Sequence, residues 1–566
     1  LFYPFFSMRK NLFILFSACV AMVLTGCSGK LGALSADYFK VTPNPLEAQA
    51  GQVPASIAGS FPEKYMNKKA VVTVIPELRY GNGEVAQGTP ATFQGEKVTG
   101  NDQTISYRLG GRYTMKTNFT YVPGMHKSDM YLTFQAKVGN KTVEIPAVKV
   151  ATGVISTSEL YKKTILSDGG CFAPDTFQRV TKQKQEANIK FLVNQANIRK
   201  TELQSNSVQD FVEMLKKINA DQERLNINNV EIQAYASPEG GFDFNNKLSE
   251  KRQNVTQDYV QKQLEATNVA TGIDAHYTAQ DWEGFKQLVA VSNIQDKDVI
   301  IRVLDMYKDP EERERQIRNM SAGFQELADG ILPELRRSRM IINYETIGRS
   351  DEEIVSQFNS DASKLSIEEL LYGATLVEKN EEKVAMYKKA AELYPKDARP
   401  VNNLASMAMI NGDLSSAKQY LSKSISVNPK QAEALANRGL ISLVEGNVAA
   451  AENDIARATT LGDVKYAQGA LNIAKGNYAA AEANFKGENT NSAALAQILN
   501  KNYAAAVNTL DGATYKDAMT TYLHAITAAR RDNKYAASSY LKEALEQDPS
   551  LAEYAENDIE LAVTRE

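Results

Sequence analysis

Cysteine is scarce in this chain, with three residues in 566, at positions 19, 27 and 171. The first two fall in an N-terminal stretch read below as a leader. Cys171 then stands alone, which excludes an internal disulfide and leaves the fold to stand on its apolar cores. Histidine is as sparse, and His126, His276 and His524 lie far apart. They form no ligand cluster for zinc. None lies near Cys171 in "SDGGCFAP", so that thiol reads as structural or incidental rather than as a nucleophile. Basic clusters are missing too. A formal net charge of −4 without a basic stretch argues against nucleic acid as the main partner. Long apolar runs are absent beyond the N-terminal stretch, so nothing later spans a bilayer. Composition is otherwise ordinary for a globular protein, 43% apolar and 23% charged. The length is too great for one core and implies about three or four domains.

What is present begins with "MRKNLFILFSACVAMVLTGCSGK". It opens at Met8 with Arg9-Lys10, continues through an apolar run and ends in Leu24-Thr25-Gly26-Cys27. The run of about 14 residues suits a secretory leader better than a membrane span of about 20. An ordinary signal peptide or a short membrane helix is the alternative. The pattern resembles the bacterial lipoprotein class. The resemblance implies a signal peptide over 8–26, cleavage before Cys27, acyl chains such as palmitate on Cys27, and a lipidated tether over 27–37. Residues 1–7, "LFYPFFS", precede the Met and read as an upstream translation artefact.

Residues 38–155 have a period close to two. "AVVTVIPELRY" (70–80), "QTISYRLGG" (103–111), "RYTMKTNFTYV" (112–122) and "YLTFQAKVGNKTVEIPAVKV" (131–150) are rich in β-branched and aromatic residues. Gly139-Asn140 between alternating runs predicts a hairpin. The spacing predicts an immunoglobulin-like β-sandwich. It carries no acid pair or histidine constellation, so it reads as a spacer or docking module.

Residues 175–348 read as mixed α/β. Strands are predicted at 188–194, 230–236, 273–279 and 338–347, with helices at 207–220 and 246–265. The segment "AYASPEGGFDFNNKLSEKR" (234–252) joins a strand to a helix through a tight polar loop. Strand, "AYASPEG", "N…LS..R" and a terminal strand preceded by Arg336-Arg337 together resemble the OmpA-like domain, a cell-wall-binding module of envelope proteins. Residues from Trp282 to Leu335 look like a helical insertion of the kind found in Bacteroidetes envelope proteins.

The resemblance implies a site for diaminopimelate of the peptidoglycan stem peptide. Such a ligand needs an acceptor for its ammonium and a guanidinium or helix N-terminus for its carboxylate. The implied ligand-binding residues are Ser237, Glu239, Asp243, Asn245 and Arg252. Arg252, in an early turn of its helix, is expected to point outward and reach back to the loop. Asn245 caps the helix or bonds the ligand. The family has a Thr-Asp pair where this chain has Ala236-Ser237, so the ammonium loses its direct ion pair; Glu239 or Asp243 is the candidate substitute. The competing expectation is that Arg252 pairs with an acid on its helix and only maintains the fold.

Residues 364–556 repeat. Pro395 and Pro429 are 34 residues apart, as are Gly412 and Gly446, and Ala417 and Ala451. "NGDLSSAKQYL", "EGNVAAAENDI", "KGNYAAAEANF", "NKNYAAAVNTL" and "DNKYAASSYL" align. This is the tetratricopeptide pattern, an all-α solenoid of helix–turn–helix repeats. Asn402, Asn403, Asn437 and Arg438 stand in first helices, where they line a concave peptide-binding face or are simply solvated.

These regions predict a lipid-anchored scaffold on the outer membrane, facing the periplasm, with no cofactor, no metal and no enzyme activity. Peptidoglycan is the expected partner of the OmpA-like domain, envelope proteins of the solenoid, and the membrane of Cys27. The alternative is an envelope assembly or secretion-machinery component whose OmpA-like domain does not bind the wall.

Overall fold

The computed structural model describes residues 31–294, 296–319, 321–513 and 516–565, without the side chains of 321–324. The lipobox, Cys27 and the leader lie outside the described residues. The chain divides into two compact units. One joins the chain up to Ala173 with Tyr394 onward, and the other is Pro174–Leu393.

The first unit begins with nine strands: β1 (Phe39–Thr42), β2 (Gln52–Phe61), β3 (Ala70–Tyr80), β4 (Glu84–Gln87), β5 (Ala91–Gly95), β6 (Gln103–Ile105), β7 (Gly111–Thr120), β8 (Ser128–Val138) and β9 (Lys141–Gly153). Two sheets form, β1-β2-β7 and β6-β5-β3-β8-β9, with β4 paired to β3. Alternate residues of β2 and β3, such as Ile57 and Val74, are fully buried in one apolar cluster shared by both sheets. Strict alternation is what puts one side of each strand inside. The predicted hairpin forms, with Val138 opposite Lys141 and Gly139 in the left-handed region. The expected strand 103–111 is broken: Gln103–Ile105 form β6, Ser106 and Gly110 make an isolated bridge, and Gly111 opens β7.

The C-terminal part of this unit is a run of helical hairpins: Arg399–Ile410 with Leu414–Val427, Ala432–Val444 with Val448–Thr459, Lys465–Ala474 with Tyr478–Asn484, Asn491–Leu499 with Tyr503–Asp511, and Ala518–Arg530 with Lys534–Gln547. Small residues let paired helices approach closely, and Ala417, Ala451 and Ala481 are fully buried. Between the sheets and the hairpins runs a segment that had no predicted structure, a 3-10 turn Thr157–Leu160 and a helix Tyr161–Asp168. The repeat boundary expected at 364 is not where the units divide. The hairpin Ile367–Leu376 with Asn380–Leu393 belongs to the second unit.

The second unit is built on a sheet of order β10-β13-β11-β12, with β10 at Val180–Lys190, β11 at Leu225–Tyr235, β12 at Ile273–Thr278 and β13 at Arg337–Ile347. Only β11–β12 is parallel. Helices Asn206–Ala220 and Phe242–Ala266 pack on the side that carries Ala187, Ile189, Val230, Ile232, Met340 and Ile342. β10 starts well before the predicted 188. It is an edge strand, and its first seven residues, "VTKQKQE", are exposed or half-buried, so no apolar alternation marks them. Between β12 and β13, helices Trp282–Val291, Lys297–Met306, Pro310–Arg318, Ser321–Gly330 and Leu332–Leu335 form a helical insertion in the sheet, with a core of its own centred on Phe285, Val289, Ile300 and Leu335.

Candidate functional site

The loop at the C-terminal end of β11 is where the sequence placed a ligand. The helix after it starts at Phe242 rather than 246, which moves Arg252 deeper into the helix than expected. Contrary to expectation, Arg252 does not point outward. It is 1% exposed. Its Nε donates to the Gln195 carbonyl (3.0 Å), one terminal nitrogen to the Tyr235 carbonyl (2.8 Å) and the other to the Leu192 carbonyl (3.2 Å). Its plane lies over the Phe191 ring, 5.0 Å from the centroid. Burial, with Arg336 nearby, pushes the guanidinium down to about 10. Nor does it pair with a helix-face acid. It ties the strand ends of β10 and β11 to the helix.

The other implied residues are as firmly placed. Asn245 caps the loop rather than the helix, because its side-chain amide donates to the carbonyls of Ser237 (3.1 Å), Glu239 (3.1 Å) and Gly240 (3.2 Å). Ser237 is buried and donates to Glu239 Oε1 (3.0 Å). The same oxygen accepts from Arg336 at 2.9 and 2.7 Å, so the acid proposed for an ammonium already has a cation. An aspartate at position 237 would set a second carboxylate beside Glu239. Asp243 stays exposed in the first turn of the helix and joins none of these contacts. The insertion reaches this loop through Glu314, which accepts from the Gly240 N–H (2.9 Å), while Trp282 and Phe285 line a small gap of ≈ 20 Å³ beside Pro238. Ser237, Glu239, Asn245 and Arg252 are thus brought together as one hydrogen-bonded corner. The double arginine was the sequence signal for it: Arg336 pairs with Glu239 and Arg337 with Asp281 (3.3 Å).

A second site lies in the first unit, on the face made by the first helices of the hairpins. The segment 157–173, here called the strap, runs along it and its helix touches the first helix of each of the five hairpins. The Cys171 N–H donates to Asn437 Oδ1 (2.7 Å), and the Asn437 side-chain amide donates back to the Cys171 carbonyl (2.8 Å). Asn402 Nδ2 adds a bond to that carbonyl (3.0 Å). Asn403 repeats the device two residues on, with Ala173 as partner for both its oxygen (2.7 Å) and its nitrogen (3.0 Å). A carboxamide carries one acceptor and two donors, so it matches the N–H and C=O of one extended residue. Asn402, Asn403 and Asn437 are buried, not solvated. Arg438 lies apart and pairs with Asp454.

Upstream, Asp168 accepts from the Tyr466 hydroxyl (2.8 Å) and from the backbone N–H groups of Asn491 and Ser492 (both 2.9 Å). Those two amides open the helix Asn491–Leu499, where a negative group is favoured. Burial pushes the Asp168 carboxyl up to about 6 against the pull of these bonds. Gly169 and Gly170 both have φ near +70°. A Cβ on Gly170 would stand 2.4 Å from Asn437 Oδ1, and one on Gly169 2.8 Å from the Ile410 side chain. Cys171 is buried and its thiol is pushed up to about 12 by desolvation, far from the reactive range. The sequence carried a signal for the strap, in the Gly-Gly pair and in Leu160, Tyr161, Thr164 and Ile165 at helical spacing.

Among the described residues no group of three or more His, Cys, Asp or Glu side chains is placed to hold a metal ion, and no helix is long and apolar enough to cross a membrane. No family model matches the chain, and no curated protein matches it. Solved structures similar to parts of it include a tetratricopeptide repeat protein from Parabacteroides merdae, 19% identical, covering 38% of this chain and 91% of that one at a TM-score of 0.27. PilW, a widely conserved type IV pilus biogenesis factor, is 15% identical over 38% of this chain and 96% of its own, at a TM-score of 0.24. Pseudomonas aeruginosa pilF is 19% identical over 31% and 88%, at 0.23.

Proposed function

We propose that the protein is a non-enzymatic scaffold of the bacterial envelope, anchored through acyl chains on Cys27 and facing the periplasm from the outer membrane. Its first unit is an immunoglobulin-like sandwich joined to a tetratricopeptide solenoid that engages other proteins. Its second unit is an OmpA-like domain that does not grip the wall peptide at the family position. The observation that carries this reading is the buried Arg252, whose guanidinium serves three carbonyls and has no face open to a carboxylate. Glu239 held by Arg336 supports it, as does the insertion lying against the loop. Two or more acyl chains anchor stably where one binds only marginally.

Sedimentation of the purified mature chain with isolated peptidoglycan tests the central point. It should stay in the supernatant at low salt, where any exposed ion pair is strongest. Sedimentation that disappears as salt is raised would overturn this reading in favour of wall contact. Cys27→Ala should leave an uncleaved precursor or a soluble form, and normal acylated protein from that variant would sink the anchor.

A further inference from the structure

The strap is held in the manner of a bound peptide. Asn403 and Asn437 address backbone groups and leave the side chain between them, Phe172, 37% exposed. Selectivity comes from three strap positions. Asp168 supplies the anion at the helix N-terminus, and Gly169 and Gly170 supply left-handed backbone where the groove has no room for a Cβ. The fit is also incomplete. Asn491 is 3% exposed, its amide donates to Ser167 Oγ of the strap (2.7 Å) and to Asp517 Oδ1 (3.1 Å), yet its own Oδ1 is buried with no hydrogen-bond partner. A buried acceptor left unpaired is costly, and a ligand offering a donor there removes that cost.

We infer that the groove is a peptide-binding site for a partner segment of the type acidic–Gly–Gly–small, a helix end that turns through two left-handed glycines into an extended tail, and that residues 164–173 are a resident pseudo-ligand which the partner displaces. This rests on the scaffold reading and names the partner's chemistry. Exchange is a competition between two segments for the same amides, so the partner's apparent affinity is reduced by the fraction of grooves the strap fills.

The probe is a fluorescein-labelled peptide of residues 164–174 under reducing conditions, titrated against the full mature chain. In the chain carrying Gly169→Val and Gly170→Val, the strap cannot seat and the groove stands open. The peptide should bind that variant at least about tenfold more tightly than wild type, a difference of about 1.4 kcal/mol. The same peptide with Gly169→Ala and Gly170→Ala should lose at least about tenfold against the variant. A variant that keeps its helical circular dichroism but binds no peptide would overturn the proposal. If the variant does not fold, wild type carries the test. The Cys171 and Ala173 amides should exchange about tenfold faster with solvent when the peptide is in large excess. Exchange unchanged by the peptide makes the strap a permanent part of the core and likewise overturns the proposal. Neither failure touches the anchor or the wall result, which are read in separate experiments.

Discussion

Arg252 and Asp168 are both charged groups taken out of water, and they balance that cost differently. Arg252 gains three carbonyl acceptors and an aromatic face. Removing it takes away three hydrogen bonds and a ring contact made by one buried cation, a loss of about 3–5 kcal/mol by analogy with breaking a buried charged contact. Arg252→Ala should therefore destabilise the second unit rather than act on a ligand. Trp282 is the only tryptophan of the chain and lies in that unit, so its fluorescence during urea unfolding reads the loss directly. A variant as stable as wild type would show that the corner does not depend on Arg252. Asp168 behaves oppositely, since burial raises its carboxyl from the ordinary 3.8 to about 6. A raised carboxyl stabilises the fold fully below pH 4, and that contribution is lost as pH rises to 6 and beyond. Asp168→Asn does not titrate. Wild-type stability minus that of the variant should thus grow by about 2–3 kcal/mol between pH 7 and pH 4, checked by denaturation followed by circular dichroism. A difference that is flat with pH would mean the carboxyl titrates normally.

At the scale of elements, the turns inside the hairpins show how a repeat tolerates a poor residue. Each turn has one left-handed position, filled by Gly412, Gly446 and Gly476 in three hairpins but by Lys501 and Asp532 in the other two. A side chain there crowds its own carbonyl, which glycine avoids. Lys501 is exposed, so Lys501→Gly removes the strain without losing a buried contact. It should raise stability by about 0.5–1 kcal/mol, seen as a higher melting temperature. A lower one would mean the lysine makes a contact that outweighs the turn. Elements also differ in legibility. The helical stretch from Trp282 to Leu335 was expected only because the flanking segments resemble the OmpA-like pattern and leave it over. The first half of β10 was not, because an edge strand needs backbone pairing but not an apolar face.

The division of the chain bears on how the molecule can be cut. If its repeats contacted only their neighbours, the run of hairpins would fold alone. Its first helices instead share one apolar cluster with Leu160, Tyr161 and Ile165 of the strap. A fragment of residues 394–566 lacks those side chains and uncovers Leu440 and Met409, which lie beside Gly170. It should melt at a lower temperature than a chain carrying residues 31–173 as well, or aggregate. Equal melting of the two would show that the strap adds nothing to the repeats.

The sequence by itself determined the kinds of structure and their order. Local periodicity set them: alternation for the sheets, 34-residue spacing for the hairpins, turn residues for the Gly139-Asn140 hairpin. Chemistry that depends on which segments meet was decided only by the tertiary structure. Asn403 and Asn437 look like solvated helix residues until a strap more than 200 residues earlier lies on them. Arg252 looks like a ligand-binding arginine until the ends of β10 and β11 bring three carbonyls to it. A side chain's hydrogen-bond partner is set by packing across the chain, and periodicity along it carries no record of that meeting.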